Sequence, residues 1–377
     1  MLRRAVSSLR LGEPRLSQFA VARIFSIADV AINGTRRWDI RVSDDRFFPS
    51  VLFQGSLGLG ESYLRGWWTC EDLEELFYRL ITGGLERISR ALPVHMIGRL
   101  ADRFVNQQTR DKSLRVAERH YNLGNDLFLS FLGAYKNYSC GLYESTQTLD
   151  EAQVAKMEKI CHELDLRPGD RLLDVGGGWG EFARFAATRH GCHVTSINIA
   201  DEQIAYATEY CGDAPVEIRK CDYREISGRY NKIAVIAMLT HVGYKNYRLF
   251  MEVMSRCLEP NGLILIETVG GHVSQTNCEP WTDKYIFPGG MIPSLEQLDR
   301  SVEGLFHRTR ISEFGLSYVR TLRSWHQNLL AAWPTLRHRY DDSTRLMFEY
   351  FFLSCAGAFR ARDLVYWHVL LSKRPPS

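Results

Sequence analysis

A short apolar segment, Arg171–Val175, runs directly into three glycines at alternate positions, Gly176, Gly178 and Gly180. Glycine has no Cβ atom, so its backbone can approach a ligand that other residues would push away. The next residues, 181–189, carry apolar side chains at helical spacing. This order of strand, glycine turn and helix predicts a small-molecule site at the edge of a sheet.

Asp174, close to the end of this segment, favours one class of cofactor over another. An acidic residue that closes the first strand is typical of S-adenosylmethionine sites, where its carboxylate faces the ammonium group of the ligand. A dinucleotide-binding fold instead places the acid at the end of the second strand. That strand, predicted over His193–Ile199, closes on Asn198. The pattern therefore predicts S-adenosylmethionine rather than a nicotinamide dinucleotide.

Strands and helices alternate along the second half of the chain. The strands are predicted over five apolar runs, at 171–175, 193–199, 216–219, 232–237 and 262–267. Helical patterns separate these runs. The alternation predicts an α/β fold with a doubly wound, Rossmann-like parallel sheet of the class I methyltransferase type. Asp222 follows the third strand, at the edge where adenine lies in such folds.

A second, smaller α/β unit is predicted near the N-terminus, because 377 residues are too many for one compact core. Its predicted elements are strands at 31–35 and 39–42, helices at 47–53 and 71–80, and a flexible loop at 55–60. Residues 92–119 have an amphipathic helical pattern and are interpreted as a connector. We expect one domain over residues 1–110 and a catalytic domain over 111–377.

The composition argues against several classes of partner. The formal net charge of +3 gives no support for nucleic-acid binding. The nine cysteines are odd in number and form no C-x-x-C pair, which argues against a metal site and suits a reducing compartment. No apolar run approaches the roughly 20 residues that a membrane-spanning helix needs. We expect a cytoplasmic protein, although the basic N-terminus leaves organelle targeting open.

Polar side chains follow the fourth and fifth predicted strands. Thr240 and His241 follow the fourth strand, and Glu267 ends the fifth. Because the carboxyl ends of parallel strands meet at one edge of a sheet, these three residues are expected to border one crevice. A carboxylate at the end of an apolar strand is costly to desolvate unless it is paired, hydrated or used in chemistry. Glu267 is therefore the more telling catalytic candidate.

Longer motifs, in order along nearly the whole chain, resemble those of the cyclopropane-fatty-acyl-phospholipid synthase family in its bacterial two-domain form. The motifs that carry the resemblance are Ile32–Gly34, Gly55–Trp68, His120–Phe128, Tyr138–Cys140, Asp174–Gly180, Asp201–Gln203, Asp222–Arg224, His241–Gly243, Trp281 with Lys284–Gly290, Ala331–Pro334 and Cys355–Arg362.

This resemblance implies an activity and its partners. The methyl group of S-adenosylmethionine would be transferred to the cis double bond of an acyl chain in an unsaturated membrane phospholipid, and loss of a proton would close a cyclopropane ring. It also implies a homodimer bound peripherally at the inner face of the membrane, with domain 1–110 docked on the lipid. The matching motifs imply that the cofactor is bound by Tyr138, Ser139, Asp174, Gly176, Gly178, Gly180, Asn198, Gln203, Asp222 and Tyr223.

The resemblance also implies a bound bicarbonate as the base, held by the backbone near a cysteine and by Glu, His and Tyr side chains. Cys140 and Tyr318 match this pattern. The glutamate position, just before His241, holds Thr240, and the histidine position holds Glu267. This is a departure, because two negative charges about 4 Å apart repel by about 4 kcal/mol at an effective dielectric constant of 20.

Several alternatives follow from this departure. Glu267 could itself be the base, or it could orient bicarbonate from across the pocket. The intermediate cation could also resolve differently, which would give a methylene or methyl-branched chain. More distant alternatives are a lipid-binding pseudoenzyme and a small-molecule N-methyltransferase that shares the catalytic domain. We favour ring closure, with Glu267 acting as the base or positioning it.

Overall fold

The computed structural model describes residues 14–85 and 124–374. A seven-stranded sheet forms its centre, with strand order β5-β4-β3-β6-β7-β9-β8. The strands are β3 (Arg171–Val175), β4 (His193–Asn198), β5 (Val216–Lys220), β6 (Tyr230–Ile236), β7 (Leu258–Gly271), β8 (His307–Glu313) and β9 (Leu364–Ser372). Strands β3 to β7 pair in parallel, and β9 pairs antiparallel with both β7 and β8.

Helices of residues 124–374 pack against this sheet and against one another. They are α5 (Asn125–Phe131), α6 (Leu149–Glu163), α7 (Glu181–His190), α8 (Asp201–Cys211), α9 (Tyr247–Cys257), α10 (Pro280–Tyr285), α11 (Leu295–Val302), α12 (Gly315–Leu336) and α13 (Asp342–Arg360). The predicted α/β class and the five parallel strands are confirmed.

The two antiparallel strands at the end of the chain were not predicted. Strand β8 has the sequence His-Arg-Thr-Arg-Ile-Ser-Glu and lies at the sheet edge with most of its side chains exposed, so it carries no apolar signal. Strand β9 is an apolar run that is buried along nearly its whole length. From sequence alone, such a run cannot be distinguished from a buried helix segment. The sheet is therefore mixed rather than wholly parallel.

The N-terminal unit is mainly helical. It contains α1 (Pro14–Ile27), α2 (Phe47–Gln54), α3 (Ser56–Leu64) and α4 (Leu73–Thr82), with a two-stranded ribbon of β1 (Arg41–Val42) and β2 (Trp68–Thr69). The helices predicted at 47–53 and 71–80 correspond to α2 and α4. The strand predicted at 31–35 is reduced to a single bridge between Ile32 and Ile40.

The prediction of a flexible loop over the glycine-rich segment 55–60 is wrong, because α3 begins at Ser56. Its glycines serve close packing instead of flexibility. A Cβ atom on Gly58 would lie 2.1 Å from the carbonyl oxygen of Ser50, and one on Gly60 would lie 2.2 Å from the ring of Trp281. Such contacts exclude any larger residue, so glycine is retained in this helix despite its low helical propensity.

The N-terminal unit and the catalytic helices share one hydrophobic core. Helix α4 lies along α13, where Glu74 accepts bonds from Arg323 Nε at 2.6 Å and from Arg360 Nη1 at 2.9 Å. A Cβ atom on Gly357 of α13 would lie 2.7 Å from the carbonyl oxygen of Glu74. The predicted domain boundary after residue 110 and the connector at 92–119 lie outside the described residues.

Candidate active site

A large cavity of about 1010 Å³ lies at the carboxyl ends of β3 to β6 and continues into the N-terminal unit. At the sheet edge its wall carries polar groups from the glycine turn and the loops after the strands. Farther in, the wall is apolar and comes from several helices: Val21, Ile24 and Phe25 of α1, Val51 and Leu52 of α2, Phe77, Leu80 and Ile81 of α4, and Tyr350 and Phe351 of α13.

The structure brings most of the predicted site residues together around this cavity. The wall includes Tyr138, Ser139, Asp174, Gly176, Gly178, Asn198, Gln203, Asp222, Tyr223, Thr240, His241 and Tyr318. Three predicted residues, Gly180, Cys140 and Glu267, do not line it. Gly180 is the N-cap residue of helix α7, and the other two lie buried behind the wall.

The glycine turn has the backbone that its sequence requires. Gly176, Gly178 and Gly180 have φ angles of 83°, 54° and 85°, in the left-handed region that side chains rarely adopt. A Cβ atom on Gly178 would meet nothing within 4 Å, whereas one on Gly177 would lie 1.8 Å from Ser196 Oγ. The serine on β4 thus leaves no room for a Cβ atom at position 177.

Asp174 provides a buried carboxylate at the start of this turn. The residue is 1% exposed and accepts a hydrogen bond of 2.9 Å from Ser196 Oγ. Burial raises the pKa of Asp174 to about 6, and the Ser196 bond offsets only part of this effect. No cationic side chain among the described residues offsets the negative charge of the ionised Asp174 carboxylate. The site therefore fits a ligand that brings its own positive charge.

The ends of β4 and β5 supply further polar groups. Asn198 Nδ2 donates to Gln203 Oε1 at 2.9 Å and to the carbonyl oxygen of Gly178 at 3.2 Å. Asp222 is nearly buried and is held by Arg224 Nη1 at 2.8 Å. The buried hydroxyl of Tyr223 has no hydrogen-bond partner among the described residues. These amide, carboxylate and hydroxyl groups fit the ribose and adenine of S-adenosylmethionine.

Thr240 and His241 lie in a short 3₁₀ turn, Leu239–His241, directly after β6. The ring of His241 contacts that of Phe287 edge-on, with 5.3 Å between centroids. Burial lowers the pKa of His241 to about 4, so its imidazole is neutral at pH 7. The Thr240 hydroxyl donates a long hydrogen bond of 3.5 Å to the Ala237 carbonyl oxygen, and Thr240 lines the cavity.

Glu267 is fully buried behind the wall, in a polar cluster on the face of the sheet that α6 covers. It pairs with His368 across β7 and β9, and His368 Nε2 lies 3.1 Å from Glu267 Oε2. The Tyr366 hydroxyl donates to Glu267 Oε1. On its other side, His368 Nδ1 lies 2.8 Å from Glu163 Oε2. We call Glu163, Glu267, Tyr366 and His368 the Glu267 cluster.

Charges around the Glu267 cluster keep its carboxylates ionised. Burial opposes the negative charge of Glu267, but Lys156, His368 and Tyr366 together lower its pKa below the ordinary value. Burial also opposes the positive charge of His368, but Glu163 and Glu267 raise its pKa. Lys156 Nζ lies 2.8 Å from Ser139 Oγ, and Ser139 lines the cavity. The cluster is thus connected to the wall.

Cys140 is buried close to the Glu267 cluster, and Tyr318 lines the cavity wall next to it. Burial, and secondarily the charge of Glu267, raise the pKa of the Cys140 thiol well above its ordinary value, so it is a neutral thiol and no nucleophile. The ring of Tyr318 packs edge-on against Tyr366, with centroids 4.9 Å apart. Tyr318 therefore links the cavity wall to the cluster.

Sequence reasoning missed Ser196, Lys156, Tyr366 and His368. Of these, only His368 had a visible signal, because it is a lone polar residue inside the apolar run of β9. Lys156 was indistinguishable from a solvated helix residue, although it is 1% exposed. Within the described residues, no group of His, Cys, Asp and Glu side chains could hold a metal ion, and no helix has the length and apolarity to cross a membrane.

Comparisons with known proteins find relatives that cover most of this chain. The family described as mycolic acid cyclopropane synthetase matches residues 108–369. The chain is 40% identical over 353 residues to the cyclopropane-fatty-acyl-phospholipid synthase of Escherichia coli strain K12, covering 93% of this chain and 92% of that one. It is 30% identical over 346 residues to a tuberculostearic acid methyltransferase of Mycobacterium tuberculosis, covering 85% and 80%.

Solved structures show the same fold. A cyclopropane synthase of Mycobacterium tuberculosis, 25% identical, superposes with a TM-score of 0.65 over 69% of this chain and 98% of that one. A coclaurine N-methyltransferase, 22% identical, gives a TM-score of 0.69 over 84% and 99%. At this lower identity the second likeness concerns the fold alone.

Proposed function

Because this chain belongs to the mycolic acid cyclopropane synthetase family, we propose that it transfers the methyl group of S-adenosylmethionine to the cis double bond of a phospholipid acyl chain and closes a cyclopropane ring. The observation that carries the proposal is one continuous cavity. It joins the glycine turn and Asp174 at the sheet edge to the apolar side chains of the N-terminal unit. A nucleotide-like group and a long hydrocarbon chain therefore fit into the same space.

The polar end of the cavity holds the cofactor. When bound, S-adenosylmethionine supplies a methyl group on a positively charged sulfur, and this group leaves as its bond to sulfur breaks. Asp174 would bind the ammonium of the amino-acid part, and Asn198 and Gln203 the ribose. Asp222 and Tyr223 would bind the adenine. Positive φ angles at Gly176 and Gly178 allow the backbone to approach the ligand closely.

The apolar part of the cavity orients the acyl chain and excludes water. An alkene is a weak nucleophile, so its reaction depends on being held against the methyl group in a dry site. Tyr138, Phe287 and Tyr318 line the cavity near its polar end. Their ring faces can stabilise the positive charge that forms on the acyl chain.

A base must then accept a proton from the added carbon, and the freed electron pair closes the ring. Glu267 does not reach the cavity, so we propose that it positions the base. Cys140 does not line the cavity, so Thr240 and Tyr318, which do, would hold a bicarbonate ion that supplies an oxyanion. The positive charges of Lys156 and His368 offset the charge of Glu267 behind the wall and so reduce its repulsion of such an anion.

We also propose that the N-terminal unit docks on a phospholipid bilayer. Helix α1 presents Leu16, Phe19 and Ile27 to solvent at helical spacing, and Phe19 is 73% exposed. The opposite side of the same helix lines the cavity. An exposed apolar stripe on a helix is typical of an interfacial membrane contact. A lipid could therefore pass from the bilayer into the cavity without crossing water.

A homodimer is a further proposal, based on the family resemblance. Sedimentation velocity of the purified chain would test it, since a protein that remains a monomer at micromolar concentration would contradict it.

Lipid analysis tests the proposed reaction. The purified protein would be incubated with S-adenosylmethionine and vesicles of either monounsaturated or fully saturated phospholipid. We expect the unsaturated lipid alone to gain the mass of one CH₂ group and to resist mild hydrogenation. A product that still contains a double bond would favour a methylene or methyl-branched chain, and unchanged lipid despite cofactor binding would refute the proposal.

A further inference from the structure

Four buried side chains form a continuous chain of contacts behind the cavity. Glu163 of α6 lies against His368 of β9, His368 against Glu267 of β7, and Glu267 against Tyr366 of β9. Glu163 and His368 are 205 residues apart in sequence. Tyr366 completes the chain at the ring of Tyr318, which lines the cavity.

We propose that Glu163 and His368 are positioning residues for the reaction, acting through Glu267. Held between the two carboxylates, His368 fixes the Glu267 side chain against the Tyr366 hydroxyl, next to the cavity wall. The inference rests on the proposed function, since it identifies what keeps the Glu267 carboxylate in place. None of the three residues touches the substrate.

A purely structural role explains this arrangement poorly. Buried ion pairs are expensive to desolvate, and apolar residues of the same volume are often equally or more stabilising. The neighbouring positions on the same face of the sheet, Leu265 and Leu370, are apolar and fully packed. Stability therefore does not account for the charged side chains of the Glu267 cluster among these apolar neighbours.

The groups that face the Glu267 cluster come from every element around it. Helix α6 contributes Lys156 and Glu163, and Lys159 Nζ lies 3.5 Å from Glu163. Strand β9 contributes His368 and Tyr366, and the segment before α6 contributes the neutral Cys140. The ring of Phe314 contacts His368 edge-on, with centroids 4.8 Å apart. His368 is the cation placed directly between the two carboxylates, so its removal should act on both.

Two substitutions test the proposal through the pH dependence of the rate. His368→Gln keeps a polar side chain but removes the positive charge, and Glu163→Gln removes one of the two carboxylates that raise the pKa of His368. We expect each variant to lose about 100-fold in methyl transfer, the lower end of what general acid–base catalysis contributes. The acidic limb of the rate profile should also move to higher pH, because Glu267 loses a cationic neighbour.

The matched control is His162→Gln, on the exposed side of the same helix as Glu163, which should leave the rate and its pH profile unchanged. Affinity for S-adenosylmethionine should stay constant in all three variants. A fall in rate with an unchanged pH profile would indicate a merely structural role and overturn the proposal, as would unchanged rates in His368→Gln and Glu163→Gln.

A measurement on the unmodified protein needs neither variant to fold. Nitrogen NMR of the imidazole groups should show that His368, assigned by its contacts with Phe314, has a pKa above the ordinary histidine value, because Glu163 and Glu267 flank it. A His368 pKa at or below the ordinary histidine value would overturn the proposal. Because this spectrum does not depend on turnover, it separates failure of the positioning chain from failure of the proposed reaction, which the unmodified enzyme tests.

Discussion

The buried carboxylate of Asp174 lowers the stability of the ligand-free protein, and we propose that it binds the cofactor. This carboxylate is buried with a single side-chain donor, Ser196, and its pKa is raised to about 6. An unfolded aspartate has a pKa of about 3.9, and each unit of difference corresponds to about 1.4 kcal/mol. The ionised Asp174 therefore costs the ligand-free protein about 3 kcal/mol at pH 7. The cofactor's ammonium would remove this cost on binding.

The substitution Asp174→Asn should separate these two effects. Because the folded pKa is the higher one, the protein loses stability as pH rises from about 4 through 6, and the asparagine variant should not. At pH 7 we expect the free energy of unfolding of the variant to be about 2 to 3 kcal/mol higher than that of the parent protein. Its affinity for S-adenosylmethionine should fall by about 100-fold, as for the loss of a buried charge pair.

Denaturant unfolding at pH 4 and pH 7 and calorimetric titration with the cofactor would measure both quantities. Asp201→Asn, at an exposed carboxylate that begins α8, is the control and should change neither. A variant that is less stable than the parent at pH 7 while retaining its affinity would contradict this interpretation of Asp174.

Glu267→Gln tests the residue that departs from the family pattern. The amide keeps the size of the side chain and can still accept from Tyr366, but it removes the negative charge. We expect methyl transfer to fall by about 10²- to 10⁴-fold, the range typical of general acid–base catalysis. Cofactor affinity should be unchanged because Glu267 does not line the cavity. Turnover equal to that of Glu202→Gln, an exposed control on α8, would contradict the proposed positioning role of Glu267.

Among the helices, α13 depends on one glycine for its packing. A Cβ atom on Gly357 would come within 2.7 to 2.8 Å of Glu74, Phe77 and Tyr78 on α4. Gly357→Ala should therefore destabilise the protein by about 1 to 3 kcal/mol, the usual cost of overpacking. Gly315→Ala at the start of α12 meets its nearest neighbour at an ordinary 3.5 Å and is the control. Denaturant unfolding would measure both, and equal stabilities would contradict the close packing of α4 on α13.

Helix α1 should determine binding to the membrane. Phe19→Asp removes the most exposed apolar side chain of its stripe, and burial of such a side chain contributes about 1.5 to 3 kcal/mol. We expect affinity for phospholipid vesicles to fall by about 10- to 100-fold in a flotation assay. Leu249→Asp, at an exposed leucine of α9, should have no effect. Equal losses in the two variants would indicate that α1 has no special role.

Elements and site residues that depend on nearby sequence were predictable, and those that depend on distant partners were not. Asp174 was identified because it immediately precedes a glycine turn whose meaning is local. Helix α3 was mistaken for a loop because the reason for Gly60 is the ring of Trp281, more than 200 positions away in the chain. His368 was missed for the same reason, since its partners lie on α6 and β7.

The whole molecule places two dissimilar environments in one cavity. The sheet edge supplies charged and hydrogen-bonding groups, and the N-terminal unit supplies an apolar surface. A shared hydrophobic core and the ion pairs of Glu74 hold the N-terminal unit against the helices of the catalytic part. In the proposed reaction, these two parts bring a charged cofactor and a hydrocarbon chain into contact away from water. The N-terminal unit thus lines the proposed active site and also provides the proposed contact with the bilayer.

Isotope labelling of the transferred methyl group tests this account most directly. The enzyme would be supplied with S-adenosylmethionine whose transferable methyl carries only deuterium, together with monounsaturated phospholipid vesicles. We predict an acyl chain that has lost its double bond, resists hydrogenation and retains all but one of the methyl deuterons. A chain that keeps every deuteron, or one in which the double bond persists, would contradict ring closure by proton loss from the added carbon.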